Sequence, residues 1–142
     1  MAINNDIEEW LFKNIEESLQ ATPYYNLLGI ELAELRKGEA VLKVITSRQH
    51  TNPIGKIHGG LLTSIADAAM ANAIRSLGVK GVTVDMSTAF IAAAGLGDEI
   101  IAKGKVVKAG RDLYFAEAEI TSNDKILVRC QGTFYKIGEI TK

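Results

Sequence analysis

Asn52-Pro53-Ile54-Gly55-Lys56-Ile57-His58-Gly59-Gly60 runs directly into an almost wholly apolar segment, Leu61 to Leu77, which closes at Gly78. This stretch decides the fold. Leu61, Leu62, Ile65, Ala66, Ala68, Ala69, Ala71, Ala73, Ile74 and Leu77 surround most of a helix with apolar or small side chains. A helix apolar nearly all round is wrapped by other structure. One acid, Asp67, lies inside it. A carboxylate there costs free energy if buried unpaired, so it needs either solvent or a task. The two glycines let another molecule approach the backbone closely. The helix start behind them offers unpaired N–H groups and the positive end of the dipole. A helix-end donor set beside a lone carboxylate suits chemistry at a carbonyl.

Upstream, Asn5-x-x-Glu8 reads as a capping box with Asn in place of Ser or Thr, opening an amphipathic helix. Ile7, Trp10, Leu11, Ile15 and Leu19 give that helix its apolar stripe. Thr22-Pro23 predicts a short second helix, with Thr22 as cap, Pro23 in the first position and Gly29 as its end. Ile30 to Leu35 and Glu39 to Ile45 alternate as strands around an Arg36-Lys37-Gly38 turn. Ser47 to Ile57 has no period and reads as a loop. Beyond the long helix, four strands are expected over Val82–Ala92, Asp98–Lys108, Leu113–Ser122 and Ile126–Ile137. Gly110-Arg111 and Asn123-Asp124 are turns among them. The order is helix, two strands, a buried helix, then an antiparallel run, which a curled sheet around one long helix satisfies. The class is α+β, and the sheet's edges favour a second copy.

The chain has 142 residues and a formal net charge of −1, with its lysines and arginines scattered. One domain over residues 1–142 is expected, with residues 1–22 as a helical extension. Dispersed charge of this kind argues against nucleic-acid binding. Cys130 is the single cysteine, so no internal disulfide forms and a reducing, cytoplasmic setting is expected. Asp67, Asn72 and Arg75 interrupt the longest apolar run, so no membrane span is expected.

Asn52, the His58-Gly59-Gly60 tripeptide and Asp67 seven residues beyond the second glycine together resemble the hotdog-fold acyl-CoA thioesterases, most closely the phenylacetate-degradation type. Leu28-Gly29-Ile30, Gly81 to Met86 and Gly110-Arg111 extend the resemblance over Pro23 to Tyr135. It implies a hotdog fold, a long central helix wrapped by a curved antiparallel sheet. It also implies homodimers with two interface sites, pairing again into homotetramers, and hydrolysis of an acyl-CoA substrate without metal or other cofactor.

On this resemblance Asp67 is the general base or the nucleophile, and Gly59 polarises the carbonyl through its N–H. Asn52 sets its amide against the thioester oxygen, His58 orients the site and Thr83 binds water. Each has a plainer reading: a solvated acid, a tight glycine loop, Asn-Pro turn chemistry, a structural histidine, a β-branched strand residue. Gly60, Lys108, Arg111 and Lys136 are candidates for contact with CoA, against a default of ordinary loop and surface residues. His50 and His58 have no Cys or carboxylate at ligand spacing, so no metal site is expected. A hotdog hydratase or dehydratase and a non-catalytic acyl-CoA-binding protein are the alternative functions. The first has a longer Pro/Gly-rich signature around its histidine, which this chain lacks.

Overall fold

The computed structural model describes residues 2–142. Its elements are β1 (Ile3–Asn5), α1 (Glu9–Ala21), α2 (Pro23–Leu28), β2 (Glu31–Arg36), β3 (Glu39–Ile45), α3 (Gly59–Arg75), β4 (Val79–Phe90), β5 (Glu99–Ala109), β6 (Leu113–Ser122) and β7 (Lys125–Glu139). A single 3₁₀ turn at Arg48–His50 interrupts the loop before α3. The strands form one sheet in the order β1-β2-β3-β5-β6-β7-β4, antiparallel except for β1 against β2. This is the expected α+β arrangement, and α3 is the helix that the sheet wraps.

The reason lies in the α3 side chains. Leu61, Leu62, Ile65, Ala66, Ala68, Ala69, Met70, Ala73 and Ile74 are all buried, and the helix packs on β3, β4, β5, β6 and β7. Its small residues let the sheet come close. At Gly104 of β5, any Cβ would collide with the Ala69 carbonyl of α3. Four of the antiparallel pairings carry register shifts, at Leu32/Glu34, Lys80/Gly81, Thr83/Asp85, Val106/Lys108 and Ile120/Thr121, and bulges of this kind bend strands and strengthen twist.

The N-terminus departs from the expected capping box. Asn5 belongs to β1, and its side-chain amide donates to Glu34 at 2.8 Å. Asn4 takes the turn instead, accepting from the Ile7 N–H at 2.9 Å. Pairing of Ile3 to Asn5 with β2 holds the chain extended, so α1 begins only at Glu9, and no side chain caps it. Thr22 also differs from expectation. Its hydroxyl donates back to the Ser18 carbonyl at 2.7 Å, closing α1 rather than capping α2. Gly29 does end α2, in the left-handed conformation at φ 80°. Among the described residues, no helix is long and apolar enough to cross a membrane.

Candidate active site

Asp67 faces the edge of the sheet at β4. The Thr83 hydroxyl donates to Asp67 Oδ1 at 2.6 Å, and Oδ2 has no hydrogen bond among the described residues. The bulge between Thr83 and Asp85 sets this contact. Val82 pairs with the exposed Tyr135, whereas Thr83 pairs with the buried Phe134 and so points to the helix side. Burial raises the Asp67 pKa above the ordinary aspartate value, and the Thr83 hydrogen bond opposes this in part. No cation pairs with the carboxylate among the described residues. The half-buried Tyr25 phenol feels its negative charge, which adds to desolvation in raising the tyrosine's own pKa.

The other end of α3 is a set of donors. His58 is the N-cap, and its Nδ1 accepts from the Gly60 N–H at 2.7 Å. That bond leaves Nε2 as the protonated nitrogen of the neutral ring. Leu61 N–H is turned back to the His58 carbonyl at 3.1 Å. The Gly59 N–H finds no acceptor among the described residues, so it remains available at the positive end of the helix. The Phe90 ring packs against Gly59, 3.2 Å from where a Cβ would stand.

Asn52 holds the preceding loop. Its Oδ1 accepts from the N–H groups of Ile54 at 3.1 Å and Lys56 at 3.0 Å, which is the turn chemistry of an Asn before Pro53. Those bonds use only the carbonyl side of the amide. The NH₂ side makes no hydrogen bond among the described residues and is free to donate.

His50 is buried and bonded at both nitrogens. Nδ1 accepts from the Ser47 N–H at 2.9 Å, so Nε2 donates to the Leu28 carbonyl at 2.7 Å. It ties the loop to α2. No cluster of three metal-ligating side chains is found among the described residues.

Within one chain the residues named from sequence fall into three places. Asn52, His58, Gly59 and Gly60 gather at the start of α3, and Asp67 with Thr83 forms a second group. Lys108 and Arg111 flank the β5–β6 turn, and Lys136 pairs with Gly81, toward the end of β4 remote from Phe90. The structure therefore does not bring Gly60 to the three basic residues within one chain. Lys136 also lies 3.3 Å from Glu139. Phe90, Tyr24 and Ser64 were not signalled by sequence. Tyr24 lies on α2, and its hydroxyl is 2.6 Å from that of Ser64 on α3. An aromatic in a short helix and a serine in a long one carry no mark of that meeting, which is made by the tertiary fold.

Residues 54–129 match the thioesterase superfamily. Human acyl-coenzyme A thioesterase 13 is 30% identical over 125 residues, 86% of this chain and 89% of the relative. Escherichia coli acyl-coenzyme A thioesterase PaaI is 30% identical over 112 residues, 78% of this chain and 80% of the relative. The structure of the E. coli PaaI protein superposes with a TM-score of 0.86 at 27% identity, over 92% of this chain and 96% of that one. A hypothetical thioesterase from Streptococcus pneumoniae, solved with coenzyme A, gives a TM-score of 0.76 at 26% identity, over 79% and 88%. In sequence and in architecture, the chain belongs to the thioesterase superfamily, as a hotdog protein of the phenylacetate-degradation type.

Proposed function

We propose that the protein hydrolyses acyl-CoA thioesters to a free carboxylic acid and CoA. The observation that carries this reading is Asp67, a half-buried carboxylate with one oxygen held by Thr83 and the other free. Acting as base, Oδ2 takes a proton from water as the water oxygen bonds to the thioester carbon. The Gly59 N–H, with the Asn52 amide, holds the negative charge that develops on the carbonyl oxygen. The C–S bond then breaks, and the sulfur leaves with the proton as CoA thiol. Acting as nucleophile, the same Oδ2 bonds to the carbon first and the C–S bond breaks, so that the CoA thiolate leaves and takes a proton from water. A second water then hydrolyses the mixed anhydride, freeing the acid and restoring the Asp67 carboxylate. His58 positions Gly60 and the start of α3 rather than taking a proton through Nδ1, which is already an acceptor.

The site is composite, built from two subunits. Gly59 and Asp67 stand about 12 Å apart along one helix, at ~1.5 Å per residue. A carbonyl that touches an oxyanion donor at ~3 Å and an attacking atom at ~3–3.5 Å does not span that separation. The edge strand β4 supplies the remedy. It pairs with β7 on one side alone, and it exposes Val82, Val84 and Phe90. Antiparallel pairing of β4 with a second copy, centred near Met86, sets Phe90 of the partner subunit beside Thr83. The partner subunit's Gly59, packed against that ring, then arrives at Asp67. The streptococcal thioesterase has also been solved as an Asp→Ala and a Thr→Ala variant, at positions with the same separation of 16 as Asp67 and Thr83.

The test is thiol release from a panel of short, aromatic, medium and long acyl-CoAs. Turnover of at least one is expected, and its loss in Asp67→Asn. Binding without turnover across the panel would make this an acyl-CoA-binding protein. Hydration of crotonyl-CoA without thiol release would make it a hydratase.

A further inference from the structure

Helix α2 lies beside α3 near the site, with Tyr25 and Leu28 half-buried against the core and no residue fully buried. Polar contacts pin it at both ends: Tyr24 Oη lies 2.6 Å from Ser64 Oγ, and the Leu28 carbonyl accepts from His50 at 2.7 Å. Ser64 follows Gly60 by four positions, one helical turn, so both lie on the same face of α3. Between α2 and that face runs an open cleft of about 200 Å³, lined among others by Tyr24, Leu28, His58, Gly60, Leu61 and Ser64. It begins at the residues that flank the free Gly59 N–H. Leu28 and Leu61 give it apolar walls, and the Tyr24–Ser64 pair spans it.

We propose that Tyr24 and Ser64 set the length of the acyl group, their paired hydroxyls forming the stop at the far end of an acyl cleft that starts at His58 and Gly60. The inference rests on the thioesterase reading above and names the substrate class: acyl groups short enough to end before the pair. With the carbonyl oxygen at the Gly59 N–H, the acyl tail leaves along the first turns of α3, past Gly60 and Leu61. It meets Ser64 one turn later. At about 200 Å³ the cleft is smaller than the ~300–1,000 Å³ that holds drug-sized ligands. A longer chain has to break the Tyr24–Ser64 hydrogen bond and push aside the half-exposed Tyr24 ring. A six-residue helix held against the core only by the half-buried Tyr25 and Leu28 is an element that such a chain can displace, so the stop is selective rather than absolute.

The experiment measures kcat/KM for a straight-chain acyl-CoA series from two to twelve carbons, with the native enzyme and with Tyr24→Phe, Tyr24→Ala and Ser64→Ala. Native turnover is expected to peak at short chains and fall beyond them, since one methylene misfit in a pocket is worth ~10–200-fold. Tyr24→Ala removes the wall and should raise the ten-carbon to four-carbon ratio at least ~10-fold. Tyr24→Phe and Ser64→Ala each remove one hydroxyl and should raise it by less. These two conservative variants carry the test if Tyr24→Ala does not fold. A native optimum at long chains overturns the inference, as does an unchanged ratio in folded Tyr24 and Ser64 variants. Either result leaves the thioesterase reading standing. That reading fails separately, if the native enzyme releases no thiol from any member of the series.

Discussion

Gly59 and Asp67 occupy the same helix, one at its first position and the other about 12 Å along its axis. The free N–H and the free carboxylate oxygen therefore look at different places within one chain. In the proposed mechanism their cooperation depends on the long edge strand β4 and on a second copy pairing with it.

Subunit mixing tests that dependence. Gly59→Pro removes the N–H, and proline is tolerated at the first helical position. His58 before it is already extended at φ −67° and ψ 135°, as a residue preceding proline requires. Gly59→Pro and Asp67→Asn homodimers should each be nearly inactive. Unfolded together and refolded as an equal mixture, they should regain about a quarter of the native rate, because half of the two-fold dimers are mixed and each mixed dimer has one intact site. No recovery, with mixed dimers demonstrated by mass, would place both residues of a site in one chain.

Asp67→Asn alone isolates the acid. The side chains are nearly isosteric, so packing changes little. Turnover should fall at least ~100-fold, the lower end of what positioned acid–base groups supply. Stability should move the other way. The folded-state pKa of Asp67 is raised, so the folded protein holds this proton over a range where the unfolded chain has released it. Stability from this group is therefore greatest below the unfolded value of 3.8 and declines as pH rises toward the folded value. Removing the charge should leave the melting temperature at neutral pH equal to or above that of the native protein. A variant that melts clearly lower would mark Asp67 as a structural residue.

The tightest of the glycine positions gives a test of stability. Gly104 admits the Ala69 carbonyl of α3 where any side chain would collide with it. Both neighbours are backbone, so the strain cannot be relieved by a rotamer change. Gly104→Ala should destabilise the protein by at least ~1–3 kcal/mol, the usual cost of overpacking. Urea unfolding measures this, with Gly38→Ala as a contrast. Gly38 has open space around it but a φ of 79°, so its cost is conformational alone.

The parts of this architecture that sequence makes legible are those with a strong period. Leu61 to Leu77 announces a wrapped helix, and Leu113 to Ser122 matches β6 residue for residue. The three-residue strand β1 has no period to read. It captured Asn5, which local chemistry alone would make a cap. At the site, Asp67 and the glycines stand out because a lone acid and a helix-opening Gly-Gly are each unusual in their setting. The separation of the two groups along α3 was also present in the numbering, since eight helical residues fix a distance. Thr83 differs. In a strand of alternating residues it looks like any β-branched side chain. Its aim at Asp67 comes from a bulge at Thr83/Asp85, which has no marker in Val82-Thr83-Val84-Asp85.

That bulge leads to a prediction in pH. Thr83 donates to Asp67 at 2.6 Å and so favours the ionised carboxylate, while burial, the larger effect, favours the protonated one. In the proposed mechanism Asp67 works only when ionised, either as base or as nucleophile. The acid limb of kcat/KM should therefore lie above the ordinary aspartate value of 3.8. Thr83→Val keeps the β-branched shape and removes the donor. With that opposing influence gone, desolvation acts alone and the acid limb should move to higher pH. The rate lost at mildly acidic pH should be largely recovered on raising the pH, to the extent that Thr83 acts through Asp67 and not through a bound water. A steady-state profile of thiol release from pH 4 to 9, compared between the native enzyme and Thr83→Val, reads both quantities. An acid limb that stays in place, with a uniform loss of rate at every pH, would assign Thr83 to holding the attacking water instead of tuning the acid.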